Sequence, residues 1–187
     1  MNILNIEYGN NFSLEGMVQY LTDIKGHQNM HTADPIAFYT GFGVDPFNAA
    51  RDMMALKQYY GRTLHRQYWH FEVSLENQNY NQTSHRIFYD IGEKVYNWSN
   101  CQLVMAIHLN TTHRTGCIHC HYLLNSVSKN GSMFTLNKYS YKISLDNIVN
   151  KVLAEYGLTP VNIPRNHNLK PVRFINTPIN KATDTSA

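Results

Sequence analysis

The sequence predicts an α+β domain, a two-layer sandwich with a central antiparallel sheet of about five strands and helices packed on one face. Three observations lead there. Residues 66–75 alternate between an apolar and a polar or titratable face, two apolar runs at 102–109 and 117–127 flank a turn-like segment, and several stretches keep helical spacing behind recognisable caps. With 187 residues, 43% of them hydrophobic, the chain can bury one ordinary core. The expected division is a domain over 1–160 and a C-terminal extension over 161–187, an irregular tail in part.

Residues 1–8 read as a short first strand. Ser13 stands where an N-cap belongs, because Leu14, Met17, Val18, Leu21 and Ile24 follow at i, i+3, i+4, i+7 spacing. Tyr20 falls about 100° from the centre of that stripe, so the core does not require it. Residues 25–44 hold three glycines, one proline and two histidines, and read as a long loop able to cross a site. Asp45-Pro46 is an N-cap and N1 pair that opens a helix through Tyr59, and Gly61 stops it.

The alternating strand at 66–75 puts Trp69, Phe71, Val73 and Leu75 on one face and Tyr68, His70, Glu72 and Ser74 on the other. A further helix over 83–96 carries Ile87, Phe88, Ile91 and Val95. The two apolar runs then form an antiparallel hairpin, and Asn130-Gly131 marks the next turn. Ser144 is expected to cap a last helix bearing Leu145, Ile148, Val149, Val152 and Tyr156, with Gly157 at its C′ position. Residues 172–175 are the one strand candidate in the tail.

Sixteen Lys+Arg against thirteen Asp+Glu give a net charge of +3, which permits a nucleic-acid partner without demanding one. Twelve per cent aromatic content with only 16% charged residues excludes a disordered chain or a coiled coil. Three cysteines, Cys101, Cys117 and Cys120, are an odd number and residues 1–20 have no leader pattern, so a reducing cytoplasm is expected. No apolar run approaches the ~20 residues needed to cross a bilayer, so no membrane insertion is expected.

The chemistry-bearing constellation lies on the hairpin. His119 and His121 are two residues apart on one strand, so both imidazoles project from the same face about 6.6 Å apart at the backbone. His108 is on the partner strand, and pairing it with 119 or 121 keeps all three on that face. Three converging imidazoles leave coordination positions open for a substrate, the pattern of a catalytic metal. Asn110 and Asn125 continue the same face. The spacing Cys117-x-x-Cys120 suggests a zinc knuckle, but the strand turns Cys120 away from Cys117, His119 and His121, which disfavours a closed structural site. His113, in the turn, reads as a solvated histidine.

The segment AIHLNTTHRTGCIHCHYLLNSV at 106–127 resembles the metal-binding motif of conjugative relaxases of the histidine-hydrophobe-histidine (HUH) class. His108, His119, His121 and Asn125 match its places. The chain departs from the motif in carrying Asn110 where the family usually has an acid, and in a hairpin four residues longer, an even number that preserves the face of His108. The run YLTDIK at 20–25 resembles the family's first motif, which carries the nucleophilic tyrosine, and RQYWHFEVS at 66–74 is similar to the second, in which His70 and Ser74 approach DNA. The resemblance covers about residues 1–160 and is to mobilisation proteins of plasmids and integrative transposons, of the MobP type.

That resemblance implies a site- and strand-specific nickase acting at an origin of transfer. Tyr20 is the implied nucleophile, forming a 5′-phosphotyrosyl bond, and one divalent ion, Mn²⁺ or Mg²⁺, is implied at His108, His119 and His121. Glu72 is a candidate base because of its place on the polar strand face, or else an exposed or ion-paired carboxylate. Cys117 is a possible neighbour or extra ligand, and Tyr39 is a second candidate nucleophile. Arg62, Arg66, Lys138, Lys142, Tyr68 and Tyr122 are candidates for phosphate contacts and base stacking, or solvated charges and core rings. The implied partners are single-stranded or hairpin origin DNA, an accessory DNA-binding protein and a type IV secretion coupling protein. A rolling-circle replication initiator shares the same chemistry, and a non-catalytic single-stranded-DNA-binding or metal-storage module is the alternative of another class. The length leaves little room for a helicase domain, whether the chain is a small mobilisation protein or the catalytic domain of a longer relaxase.

Overall fold

The computed structural model describes residues 3–7, 13–22, 36–64, 66–75, 78–109, 118–136 and 138–161, excluding the side chains of 3, 5–7 and 138–143. In chain order the elements are β1 (Ile3–Glu7), α1 (Leu14–Thr22), β2 (Ile36–Phe42), α2 (Ala49–Tyr59), β3 (Tyr68–Leu75), α3 (Gln82–Ser99), β4 (Cys101–His108), β5 (Ile118–Ser128) and α4 (Lys138–Glu155). The strands form one five-stranded sheet in the order β1-β3-β5-β4-β2, with every neighbouring pair antiparallel. The α+β class and the antiparallel sheet are as the sequence predicts. The candidate strand at 172–175 and the turn at 110–117 lie outside the described residues.

Local chemistry explains the helix ends. Ser13 Oγ accepts from Gly16 N at the start of α1, and Asp45 accepts from Phe47 N where Pro46 opens a short 3₁₀ turn ahead of α2. Asn81 and Ser84 form a reciprocal capping box on α3. At the end of α4, Gly157 takes φ +69°, while Gly157 N donates to Ala154 O and Leu158 N to Leu153 O, the paired bonds of a glycine-terminated helix.

Two elements differ from expectation. Residues 36–42, which the sequence pattern places in a loop, are the edge strand β2, hydrogen-bonded to β4. An edge strand is covered unevenly, and its first six residues are all half-buried, so the two-residue alternation that reveals a strand is missing. The last helix starts at Lys138 and not behind Ser144, which sits inside it. A cap-forming residue is a weak stop signal when flanking residues can continue the helix.

The sheet is covered on both sides. Trp69, Phe71, Val73, Leu103, Met105, Ile107, Tyr122 and Leu124 face α3 and α4 and form the main core with Ile87, Phe88, Ile91, Val149 and Val152. Gly92 lets α3 approach closely, since a Cβ there would lie 2.9 Å from Phe42 and 3.2 Å from the Met105 sulfur. On the other face Leu14, Met17 and Leu21 of α1 and Ala49 and Met53 of α2 pack on Tyr68, Val104, Ala106 and Leu123. Helices on one face alone therefore do not describe this chain. Apolar residues interleave with the polar ones on the second face, and burying them requires a cover of its own.

α2 is also pinned by a buried lysine. Lys57 has no exposed surface, and its Nζ donates to Ser126 Oγ at 2.6 Å and to the Arg66 carbonyl at 3.3 Å. Ser126 Oγ also donates to the Arg66 carbonyl. Desolvation by burial brings the amine down to about 8, with Cys101 opposing the shift. Since the ordinary value is 10.5, the unfolded chain binds more protons between pH 8 and 10.5, and this residue adds stability as pH rises through that window. Urea titrations of wild type and Lys57→Met should show the difference moving in favour of wild type by roughly 1–3 kcal/mol from pH 8 to 10.5. A pH-independent difference would contradict the assignment.

Candidate functional site

The site is built by strand register. β4 and β5 pair with His108 opposite His119, and β3 pairs with β5 so that Ser74 faces His119 and Glu72 faces His121. Residues of equal parity share a face, so His70, Glu72 and Ser74 join His108, His119 and His121 on the side covered by α1 and α2. The three hairpin histidines converge as expected, with ring centroids 4.8 Å (108–121), 4.9 Å (119–121) and 5.4 Å (108–119) apart. His108 and His121 are buried and His119 is half-buried.

One candidate ligand nitrogen from each ring lies within 4.8 Å of the others. Nitrogens sharing one ion at about 2.1 Å are no more than about 4.2 Å apart, so the rings would have to turn inward slightly to share a cation. The donor set is chemically suited to it. Burial, reinforced by His70, His108 and His119, holds His121 well below the ordinary imidazole range and therefore in the neutral form that metals bind.

α1 brings Tyr20 to this cluster. Met17 and Leu21 anchor the helix in the layer beneath it, and Tyr20, half-buried beside them, sets its ring at 76° to His121 with centroids 5.9 Å apart. A backbone contact fixes the approach, since His108 Nε2 lies 3.0 Å from the Leu21 carbonyl. A carbonyl only accepts, so His108 carries its proton on Nε2 and its lone pair on Nδ1. The bond satisfies one of the carbonyls left over at the end of α1 and presents the negative end of the helix to the cluster. Nothing in the sequence marked this contact, because every residue offers a carbonyl.

The remaining candidates fall into place around these four residues. Ser74 donates to Glu72 Oε1 at 2.8 Å, a pair beside the histidines. His70 is only 2% exposed and sits 3.0 Å, nitrogen to nitrogen, from His121, so the expected approach of His70 to DNA is corrected to an internal contact. Asn125 shares the histidine face, but its amide bonds Met53 O, Gln102 Oε1 and Val127 N within the fold. Tyr122 is fully buried and donates to Phe88 O, and Tyr68 is buried under α1 and α2, so neither is a base-stacking surface.

Arg66 stacks over Trp69 at 4.1 Å, at the end of β3 away from the histidines. Arg62 is exposed. Tyr39 donates to the Pro46 carbonyl at 2.7 Å, and burial with nearby Asp45 raises its phenol further. Cys120 points into the α3/α4 core as the strand parity required, where burial pushes its thiol up. Asn110, His113 and Cys117 lie outside the described residues, as do the side chains of Lys138 and Lys142.

The chain belongs to the MobA/VirD2-like relaxase nuclease-domain family, whose model matches residues 20–158. It is thus the nuclease domain of a relaxase, the class of enzyme that nicks DNA for conjugative transfer. A solved structure from work on the molecular basis of vancomycin resistance transfer in Staphylococcus aureus shares the fold, with a TM-score of 0.54 at 13% identity over 88% of this chain and 97% of that one. No curated protein gives a significant sequence match. Among the described residues no helix is long and apolar enough to cross a membrane.

The state of His121 has a measurable consequence. Below its ordinary value of 6.5 the unfolded chain takes up a proton that the folded His121 refuses, so stability falls as pH drops through that value, by up to about 1.4 kcal/mol per pH unit. Without added metal, urea titrations between pH 7.5 and 5 should show this loss in wild type and a smaller one in His121→Gln. Equal slopes would remove His121 as the source.

Proposed function

We propose that this domain nicks one strand at an origin of transfer by direct attack of Tyr20 Oη on the scissile phosphate. The Oη–P bond forms as the P–O3′ bond breaks, leaving a 5′-phosphotyrosyl linkage and a 3′-oxygen that takes up a proton. Attack of that 3′-hydroxyl on the phosphotyrosine reverses the step and rejoins the strand. The phosphodiester bond energy is conserved in the linkage, so neither water nor ATP is consumed.

The observation that carries this reading is the seating of Tyr20 at the edge of His121, on a helix held to His108 through the Leu21 carbonyl. His108, His119 and His121 would hold one divalent cation, which when bound supplies charge neutralisation and orientation at the phosphate. Nitrogen donors favour a transition ion such as Mn²⁺ over Mg²⁺, which prefers oxygen. Tyr20, half-buried with its ring against His121, would supply the nucleophile. Glu72 and Ser74 add polar groups on the same face.

Incubating the protein with Mn²⁺ and a single-stranded origin oligonucleotide should give DNA that migrates with the protein after denaturation. Tyr20→Phe should reduce this adduct about a thousandfold or more while leaving oligonucleotide binding intact; persistent attachment would assign the nucleophile elsewhere. The double substitution His119→Ala/His121→Ala should abolish metal-dependent cleavage. Undiminished cleavage would overturn the ligand set, and binding without cleavage by wild type under all divalent ions would favour a non-catalytic DNA-binding module.

A further inference from the structure

His70 is not needed as a ligand by the site described above, yet it is buried against it. Its Nε2 lies 3.0 Å from Nδ1 of His121, the two ring planes are inclined by only 19°, and the centroids are 5.1 Å apart. The nitrogens are thus about two ångströms closer than the centroids. The rings therefore meet edge to edge in nearly one plane, the orientation an in-plane N–H···N bond requires. Such a bond needs one protonated and one bare nitrogen, so the tautomers of the two rings are complementary.

We infer that His70 is a positioning residue: its Nε2 accepts the Nδ1 proton of His121, fixing that ring and presenting the His121 Nε2 lone pair to the ion-binding cluster. Metal-bound imidazoles are commonly held by such a bond from their other nitrogen, usually to a carboxylate or carbonyl. Here a second imidazole takes that place and carries its own proton on Nδ1. Register explains why it is available, since His70 lies on β3 opposite Leu123, two residues along β5 from His121 and on the same face. The same bond rules His70 out as a fourth ligand through Nε2. At 2% exposure it also cannot reach a phosphate.

The inference rests on the three-histidine reading, and its test separates the two. Two variants of the full chain are compared with wild type, His70→Gln, whose side-chain oxygen can accept from His121, and His70→Leu, which cannot. Mn²⁺ affinity is measured by calorimetry without DNA, and imidazole tautomers by long-range ¹H–¹⁵N spectra of the metal-free protein. His121 in wild type should carry its proton on Nδ1. His70→Leu should lose 10–100-fold in Mn²⁺ affinity and shift His121 toward the Nε2–H form, while His70→Gln retains most of both.

A wild-type spectrum showing His121 protonated on Nε2 overturns the inference by itself, even if His70→Leu does not fold. So does a folded His70→Leu chain with wild-type affinity and tautomer, and so does His70→Gln losing as much as His70→Leu, which would mark a packing role. If instead wild type and His119→Ala/His121→Ala bind Mn²⁺ alike, the ligand set fails, and the metal-free tautomer spectra still decide the role of His70.

Discussion

Side chains on neighbouring strands share a face only when the register pairs positions of the same parity, and in this protein His108 stands opposite His119. A slip of one residue between β4 and β5 would turn His108 into the core under α3 and bring Ile107 to the surface meant for the site. The apolar residues that alternate with the histidines prevent it. Ile107, Cys120 and Tyr122 are completely buried on the α3/α4 side, so the same packing that stabilises the sheet holds the three imidazoles in one place. Core and site are two consequences of one register.

The second face would ordinarily be left to solvent and substrate, but its apolar positions are covered by α1 and α2. That cover also places a side chain of the candidate site. α1 buries Met17 and Leu21 over Ala106 and Leu123, and the turn of the helix that does so also carries Tyr20 to His121. A hydrophobic contact thus sets the distance between a tyrosine ring and a histidine cluster. The bond from His108 to the Leu21 carbonyl adds direction, because it meets the helix end at the residue next to the tyrosine.

Much of the frame could be read from residue order. Strict alternation at 68–75 and the hairpin pattern located the central strands, and the caps at Ser13, Asp45 and Gly157 located helix ends within a residue or a short turn. β2 was hidden because an edge strand half-covered along its length carries no two-residue burial pattern, and its neighbourhood is rich in glycine. The start of α4 was hidden because a serine that caps one helix can lie inside another. Among the site residues, the common face of His108, His119 and His121 followed from parity alone.

What the sequence by itself determined is therefore which side chains share a face, because the two-residue period of a strand and the 3.6-residue period of a helix are local properties of the backbone. Tertiary structure decided which faces meet. The placement of Tyr20 against His121, the bond from His108 to a backbone carbonyl, the pairing of His70 with His121 and the burial of Tyr122 all depend on distances between elements far apart in the chain. Those distances are set by side-chain packing across the whole domain, which no local period encodes.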